Sequence, residues 1–162
     1  YMKNLENKEI LSDEILNAIS LIIEKTPNAV FGGSIALNAV GLINRHISDI
    51  DLFFGMNESL SKNGYLSVET IGEITSDTVT NTNGIEIQRT GAKIAGVKTC
   101  CFKVSDEELQ CSKHKFTRNE TEYTICIQNI NYAIEAKKSY SSRNPKHKTD
   151  LETILNVLDG LF

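Results

Sequence analysis

Long apolar runs are missing from this chain. No stretch approaches the roughly 18 apolar residues that a membrane-spanning helix needs, so no segment reads as a span. Proline is scarce, with two residues, and no segment is low in complexity, so disorder is not expected. The four cysteines, Cys100, Cys101, Cys111 and Cys126, lack Cys-x-x-Cys spacing, which argues against a zinc site. Cys100 and Cys101 would point to opposite faces of a strand and would not readily join. All four read as reduced packing residues. His46, His114 and His147 form no ligand cluster by spacing. No repeat of fixed period is present. No signal peptide is visible, and Tyr1 ahead of Met2 reads as foreign to a native start. A net charge of −4 argues against broad coating of nucleic acid, while leaving room for a localised tRNA contact.

What remains is ordinary for a cytoplasmic globule. Apolar content of 40% with 23% charge suits a soluble protein, and 162 residues suit one domain with a real core. Residues 1–27 hold a first helix. Ser12, Asp13 and Glu14 start it, and Ile15, Leu16, Ile19, Ile22 and Ile23 form its inward face.

The most informative stretch follows. Ala29-Val30-Phe31 is a short apolar strand running into Gly32-Gly33-Ser34. The glycines let an anion approach the backbone, and Ser34 can cap a helix through Ile35 to Val40. Free N–H groups at a helix start attract phosphate. Further on, Asp49 and Asp51 flank Ile50, with Leu52, Phe53 and Phe54 behind. On a strand, residues two apart share a face. The two carboxylates therefore project together and repel, and a divalent cation would relieve them. Oxygen-rich carboxylate sites suit Mg²⁺, which commonly binds one or two carboxylates plus substrate phosphates.

Gly33-Ser34, a helix, then Asp49-Ile50-Asp51 on a strand resembles the signature of the DNA polymerase β-like nucleotidyltransferase superfamily. The likeness runs to its small bacterial members, the abortive-infection toxin type and the antibiotic nucleotidyltransferases. Arg45 and Ser48 ahead of Asp49 fit it too. Fourteen residues separate Ser34 from Asp49, slightly more than the family's usual gap, and one extra helical turn would absorb them. The resemblance implies that the Gly-Ser turn holds a nucleoside triphosphate and that Asp49 and Asp51 hold Mg²⁺.

The C-terminal part agrees. Ile125-Cys126-Ile127 reads as a strand. Ile130, Ala133, Ile134, Ala136 and Tyr140 give an amphipathic helix that Asn129 or Asn131 could cap. Pro145 opens a last helix, about Lys146 to Asp159, with Leu151, Ile154, Leu155 and Leu158 as its stripe. From Lys137 to Lys148 the chain carries Lys137, Lys138, Arg143, Lys146, His147 and Lys148 with no acid, which suggests a local anion site on an acidic protein. This block also resembles the toxin-type enzymes. By position it implies that Lys137 contacts phosphates, that Lys146 is the motif's basic residue and that Asp150 is required for activity. His147 stands where many relatives have an acid. Lys138 competes with Lys137, one register slip apart. Asp150 also has two plain readings, as a cap for the helix face beginning at Leu151 or as a partner of Lys146.

The middle is a Thr-, Val- and Ile-rich region. Strands are expected over Gly72–Thr80, Ile85–Thr90, Lys93–Ala95 and Val97–Val104, with a hairpin at Asn81-Thr82-Asn83-Gly84. Ser105-Asp106-Glu107-Glu108 has capping-box spacing ahead of a short helix. A two-turn helix is expected within 57–64. The resemblance suggests a third carboxylate on a later strand, for which Glu86 is the candidate beside its plain reading as an outward strand residue.

The expectation is one α/β domain. A mixed, partly antiparallel sheet would have helices on one side, with a core over 28–128 and a helical part over 129–162 closing a nucleotide cleft. Its activity would be Mg²⁺-dependent transfer of a nucleoside monophosphate from an NTP to an acceptor hydroxyl. A toxin-type enzyme acting on tRNA or protein, with a cognate antitoxin, is the first form. An antibiotic-modifying enzyme and a non-catalytic nucleotide-binding module are the alternatives.

Overall fold

The computed structural model describes residues 3–55, 68, 70–82, 85–140 and 145–160. The helix expected within 57–64, the hairpin turn at Asn83-Gly84 and Arg143 lie outside them. Seven strands form one mixed sheet. They are β1 (Val30–Phe31), β2 (Ile50–Gly55), β3 (Gly72–Thr82), β4 (Ile85–Ile94), β5 (Val97–Val104), β6 (Cys111–Arg118) and β7 (Thr121–Gln128). Their spatial order is β3-β4-β5-β2-β1-β7-β6. β2 runs parallel to β5 and β1 parallel to β7, and the remaining pairs are antiparallel. Among the described residues the α-helices whose ends are both defined are α1 (Asp13–Lys25), α2 (Gly33–Ala39), α3 (Ile130–Tyr140) and α4 (Pro145–Asp159).

Alternation divides the sheet cleanly. Ile50, Leu52 and Phe54 on β2 are buried, and so are Phe31, Cys101, Ile125 and Ile127 on neighbouring strands. They pack with Ile15, Leu16, Ile19 and Ile22 of α1 and Ile35 of α2. The Ser12 side chain caps α1 by accepting from Ile15 N–H. A smaller core joins Leu37 of α2 and Leu42 and Ile43 of the next loop to Ala133 of α3 and Ile154 of α4. Burying each large aliphatic side chain contributes about 1.5–3 kcal/mol, so this second cluster is what fastens the C-terminal helices to the loop after α2. The opposite face of the sheet carries Asp51, Phe53, Gln128 and Phe102, by the same alternation.

Several elements differ from expectation. The two strands expected within 85–95 are one ten-residue strand, β4. It pairs with β3 from Gly72↔Ile94 to Thr82↔Ile85, so the hairpin's arms stand where the sequence put them. The short helix after Ser105 is only a turn, with Leu109 N–H donating to Ser105 O. The chain then enters β6, whose polar residues Ser112, Lys113, His114 and Lys115 hid its strand character. An edge strand tolerates that polarity because one side of it meets water. α4 begins at Pro145, so Asp150 lies inside the helix rather than at its start.

The N-terminal segment is held by a buried arginine. Arg118 Nη1 donates to Leu5 O and Leu11 O, and Nη2 bonds the Asp13 carboxylate at 2.9 Å. Ile47 N–H donates to Ile10 O at 2.8 Å. The residues before α1 therefore brace both β6 and the loop leading to Asp49.

Candidate active site

Two groups of residues come together beside β1 and β2. The first is the Gly-Gly-Ser turn with the aspartates. Gly32 N–H donates to Asp51 O at 3.0 Å, which sets the turn against β2. Gly33 opens α2 with φ +55, a left-handed conformation that suits glycine. A Cβ on Gly33 would overlap Asp51 Oδ2, and one on Gly32 would overlap the Phe53 ring. Backbone and carboxylate thus approach as closely as atoms allow. Asp49 lies in the bend just before β2 rather than on the strand, close enough for its charge to act on Asp51. Burial, then the Asp49 charge, pushes Asp51 up to about 6, while Lys137, Arg89 and Lys146 oppose the rise. Those three cations, from α3, β4 and α4, stand within electrostatic reach of Asp51.

The second group is an ion-pair network centred on Asp150. Arg45 Nε and Nη2 bond the two carboxylate oxygens of Asp150 at 2.6 Å each. The same Nη2 donates to Ser34 Oγ at 3.0 Å. Lys137 Nζ reaches Asp150 Oδ2 at 2.9 Å and His147 Nδ1 at 3.1 Å. Burial alone would raise the Asp150 pKa, but hydrogen bonds and charge from Arg45 and Lys137 hold it below the usual carboxylate range. His147 is held below its ordinary range by burial and then by Lys137, with Lys146 and Arg45 adding to the effect against Asp150. Lys146 Nζ donates to Ser48 Oγ at 3.0 Å, next to Asp49.

The structure therefore gathers Gly32, Gly33, Ser34, Arg45, Asp51, Lys137, Lys146 and Asp150, with Asp49 beside them. Lys137 is buried and faces Asp150, whereas Lys138 is exposed and pairs with Glu135 at 3.2 Å. Asp150 lies inside α4 rather than at its cap. Its partners are Arg45 and Lys137. His46 Nδ1 lies 3.2 Å from Glu9 O.

None of the protein-family models or curated proteins compared with the chain matches it. The chain is similar over 78% of its length to JHP933 from Helicobacter pylori, a crystal structure, with 16% identity and a TM-score of 0.39. It spans 57% of that chain. A likeness this low carries neither fold nor function across.

Glu86 is the candidate that the fold keeps away. Asp51 pairs with Cys100 of β5, and Cys100 pairs with Gly91 of β4. Glu86 stands five residues farther along β4, opposite Asn81. At about 3.4 Å per residue its backbone lies roughly 17 Å along the sheet and two strands over. The reason is the unbroken length of β4, which carries position 86 beyond the end of β5 pairing.

Three contributors carry no sequence signal. Asn38 is wholly buried, donates to Ser34 O at 2.8 Å and accepts Arg45 N–H at 3.2 Å, so it locks the guanidinium's approach. Arg89 lies 5.9 Å from the Phe102 ring centroid and donates to Cys100 Sγ beside Asp51. The Gln128 carboxamide lies against Gly32. Arg89 and Gln128 depend on a strand register that local sequence does not encode, and Asn38 on the loop that brings Arg45 back to α2.

Among the described residues no group of three or more His, Cys, Asp or Glu side chains converges as a metal cage. Two carboxylates, one with its proton affinity raised, fit a cation that takes its other ligands from phosphate oxygens and water.

Proposed function

We propose that this chain is a Mg²⁺-dependent nucleotidyltransferase that moves a nucleoside monophosphate from an NTP to an acceptor hydroxyl, with release of pyrophosphate. The observation that carries this reading is the contact of Gly33 with the Asp51 carboxylate while Ser34, the next residue, is tied through Arg45 to Asp150 and Lys137. A phosphate-suited turn, two carboxylates, the half-buried Arg45 and the buried Lys137 share one neighbourhood. The mixed sheet with α2 between β1 and β2 is consistent with a nucleotidyltransferase-type domain, and α3 and α4 would form one wall of its cleft.

Asp49 and Asp51 would hold Mg²⁺. The ion would neutralise triphosphate charge and lower the pKa of the attacking hydroxyl. The backbone at Gly32 and Gly33 would leave room for phosphate oxygens. Ser34 and Arg45 would donate to them. Lys137, poised beside Asp150, would stabilise the charge that develops on departing pyrophosphate. Asp150 would hold Arg45 and Lys137 in place. The acceptor we assign first is tRNA or protein, as in toxin-type enzymes, because the Lys137–Asp150 pair matches the C-terminal block of that type; a cognate antitoxin would then restrain it.

The test is incubation of the purified chain with Mg²⁺, each α-labelled NTP and a panel of acceptors comprising total tRNA, cell protein, aminoglycosides and lincosamides. Label should enter one acceptor class in wild type and none in Asp51→Ala. Equal labelling by Asp51→Ala, or no NTP binding by calorimetry with Mg²⁺, overturns the reading.

A further inference from the structure

Cys111 and Cys126 stand apart from the other two cysteines. Cys111 opens β6 opposite Gln128, and Cys126 on β7 is opposite Lys113. Residues two apart on a strand share a face, so both thiols project from the same side of the β6–β7 ribbon as diagonal neighbours. Cys111 is exposed and Cys126 half-buried. Cys111 is thus a surface residue, not the packing residue that the sequence suggested, because β6 is the sheet's edge and Cys111 is its first position.

The strand register brings the two thiols to neighbouring positions. Burial raises the Cys111 pKa, and the neighbouring Cys126 raises it further by charge and by hydrogen bonding, against Lys113. A cavity of about 340 Å³, lined by Gln110, Cys111, Ser112, Gln128, Asn129 and Ile130, gives small reagents a route to Cys111. The backbone has room to adjust. Cys111 follows the turn at 106–109 and opens the sheet's outer strand outside both hydrophobic cores, so the small approach that disulfide geometry requires falls away from them. The other thiols lack these conditions. Cys101 is fully buried on the core face and pushed up to about 12, mainly by burial. Cys100 is 5% exposed and accepts from Arg89 at 3.2 Å.

We infer that Cys111 and Cys126 form a redox-active dithiol, a modification site that closes to a disulfide on exposure to hydrogen peroxide and reopens with a thiol reductant. The Cys111 thiolate attacks one peroxide oxygen. The O–O bond breaks, a sulfenic acid forms, and the leaving hydroxide takes a proton to become water. The Cys126 sulfur then displaces the sulfenic hydroxyl. The S–S bond forms and a second water leaves. Two sulfurs are oxidised by one electron each, and the two peroxide oxygens are reduced. The thiolate is the attacking species, so the reaction is run at pH 8.

The test uses the whole chain. Protein is treated with a small excess of hydrogen peroxide, denatured, alkylated with iodoacetamide and analysed intact. Two of its four cysteines should escape alkylation. Trypsin should release residues 104–113 disulfide-linked to residues 119–137, and dithiothreitol should separate them. Cys111→Ser and Cys126→Ser should each abolish the link, and Cys100→Ser should leave it intact. Alkylation of all four cysteines after peroxide overturns the inference, as does a linkage that includes Cys100 or Cys101. The wild-type peptide map stands without the variants, so a misfolded variant leaves the result readable.

Discussion

Arg45 clasps Asp150 with two hydrogen bonds of 2.6 Å across 105 residues of chain. The Asp150 carboxylate is 4% exposed and also meets Lys137 at 2.9 Å. Removing one member of a buried ionic cluster strands the others and costs about 3–5 kcal/mol. Asp150→Ala should therefore lower stability by that order in urea unfolding, with loss of nucleotide transfer. The pH sense follows from its depressed pKa. The Asp150 contribution is fully present above its unfolded value near 3.8 and disappears as pH falls through the lower folded value. A wild-type minus Asp150→Ala stability difference that stays constant from pH 7 down to pH 2 would contradict this.

Asp51 has the opposite sense. Its folded pKa of about 6 lies above the unfolded 3.8, so its ionisation weakens the fold as pH rises between those values. Asp51→Asn should melt at a higher temperature than wild type at pH 7.5. The gap should close toward pH 4. Thermal scans across that range decide it, and a variant less stable than wild type at pH 7.5 would refute it.

Gly33→Ala should be disruptive despite its size. A left-handed conformation costs a non-glycine residue about 1–2 kcal/mol, and the added methyl would collide with Asp51. Reduced thermal stability and weakened Mg²⁺–NTP binding in calorimetry are the expected results.

Lys137 and Lys138 offer a matched pair. Lys138→Ala should change stability by no more than about 1 kcal/mol, since exposed ion pairs contribute little. Lys137→Ala should reduce nucleotidyl transfer by about 100-fold or more, the scale for losing a donor to developing charge. Equal rates for the two variants would remove Lys137 from the site.

Glu86→Gln should leave the transfer rate unchanged, because its backbone is two strands away from Asp51. A hundredfold loss in steady-state assays would show that position 86 acts from afar.

The legible parts of this chain were local. The Ser12 cap, the α1 stripe and the helix opened by Pro145 depend on neighbours within a few residues, and each stands as read. The Gly-Gly-Ser turn was legible for the same reason, but the helix starts earlier than expected: Gly32 is its N-cap, and Ser34 lies inside α2 with its hydroxyl accepting from Arg45 instead of capping. The turn's partner across space was not legible, because Arg45 and Asp150 meet only after α2, α3 and α4 have packed through Leu37, Ala133 and Ile154. Glu86 misled because side-chain identity was visible while the length of β4 was not. β6 was invisible because an edge strand can be as polar as a loop.

The buried Arg118 has a consequence at the far end of the chain. It grips Leu5, Leu11 and Asp13, while Ile10 holds Ile47, two residues before Asp49. The N-terminal segment is therefore a keel for the loop that bears Arg45 and Ser48. A fusion tag or deletion that loosens residues 5–11 would be felt as altered chemistry some forty positions downstream, and would be mistaken for damage at the aspartates themselves.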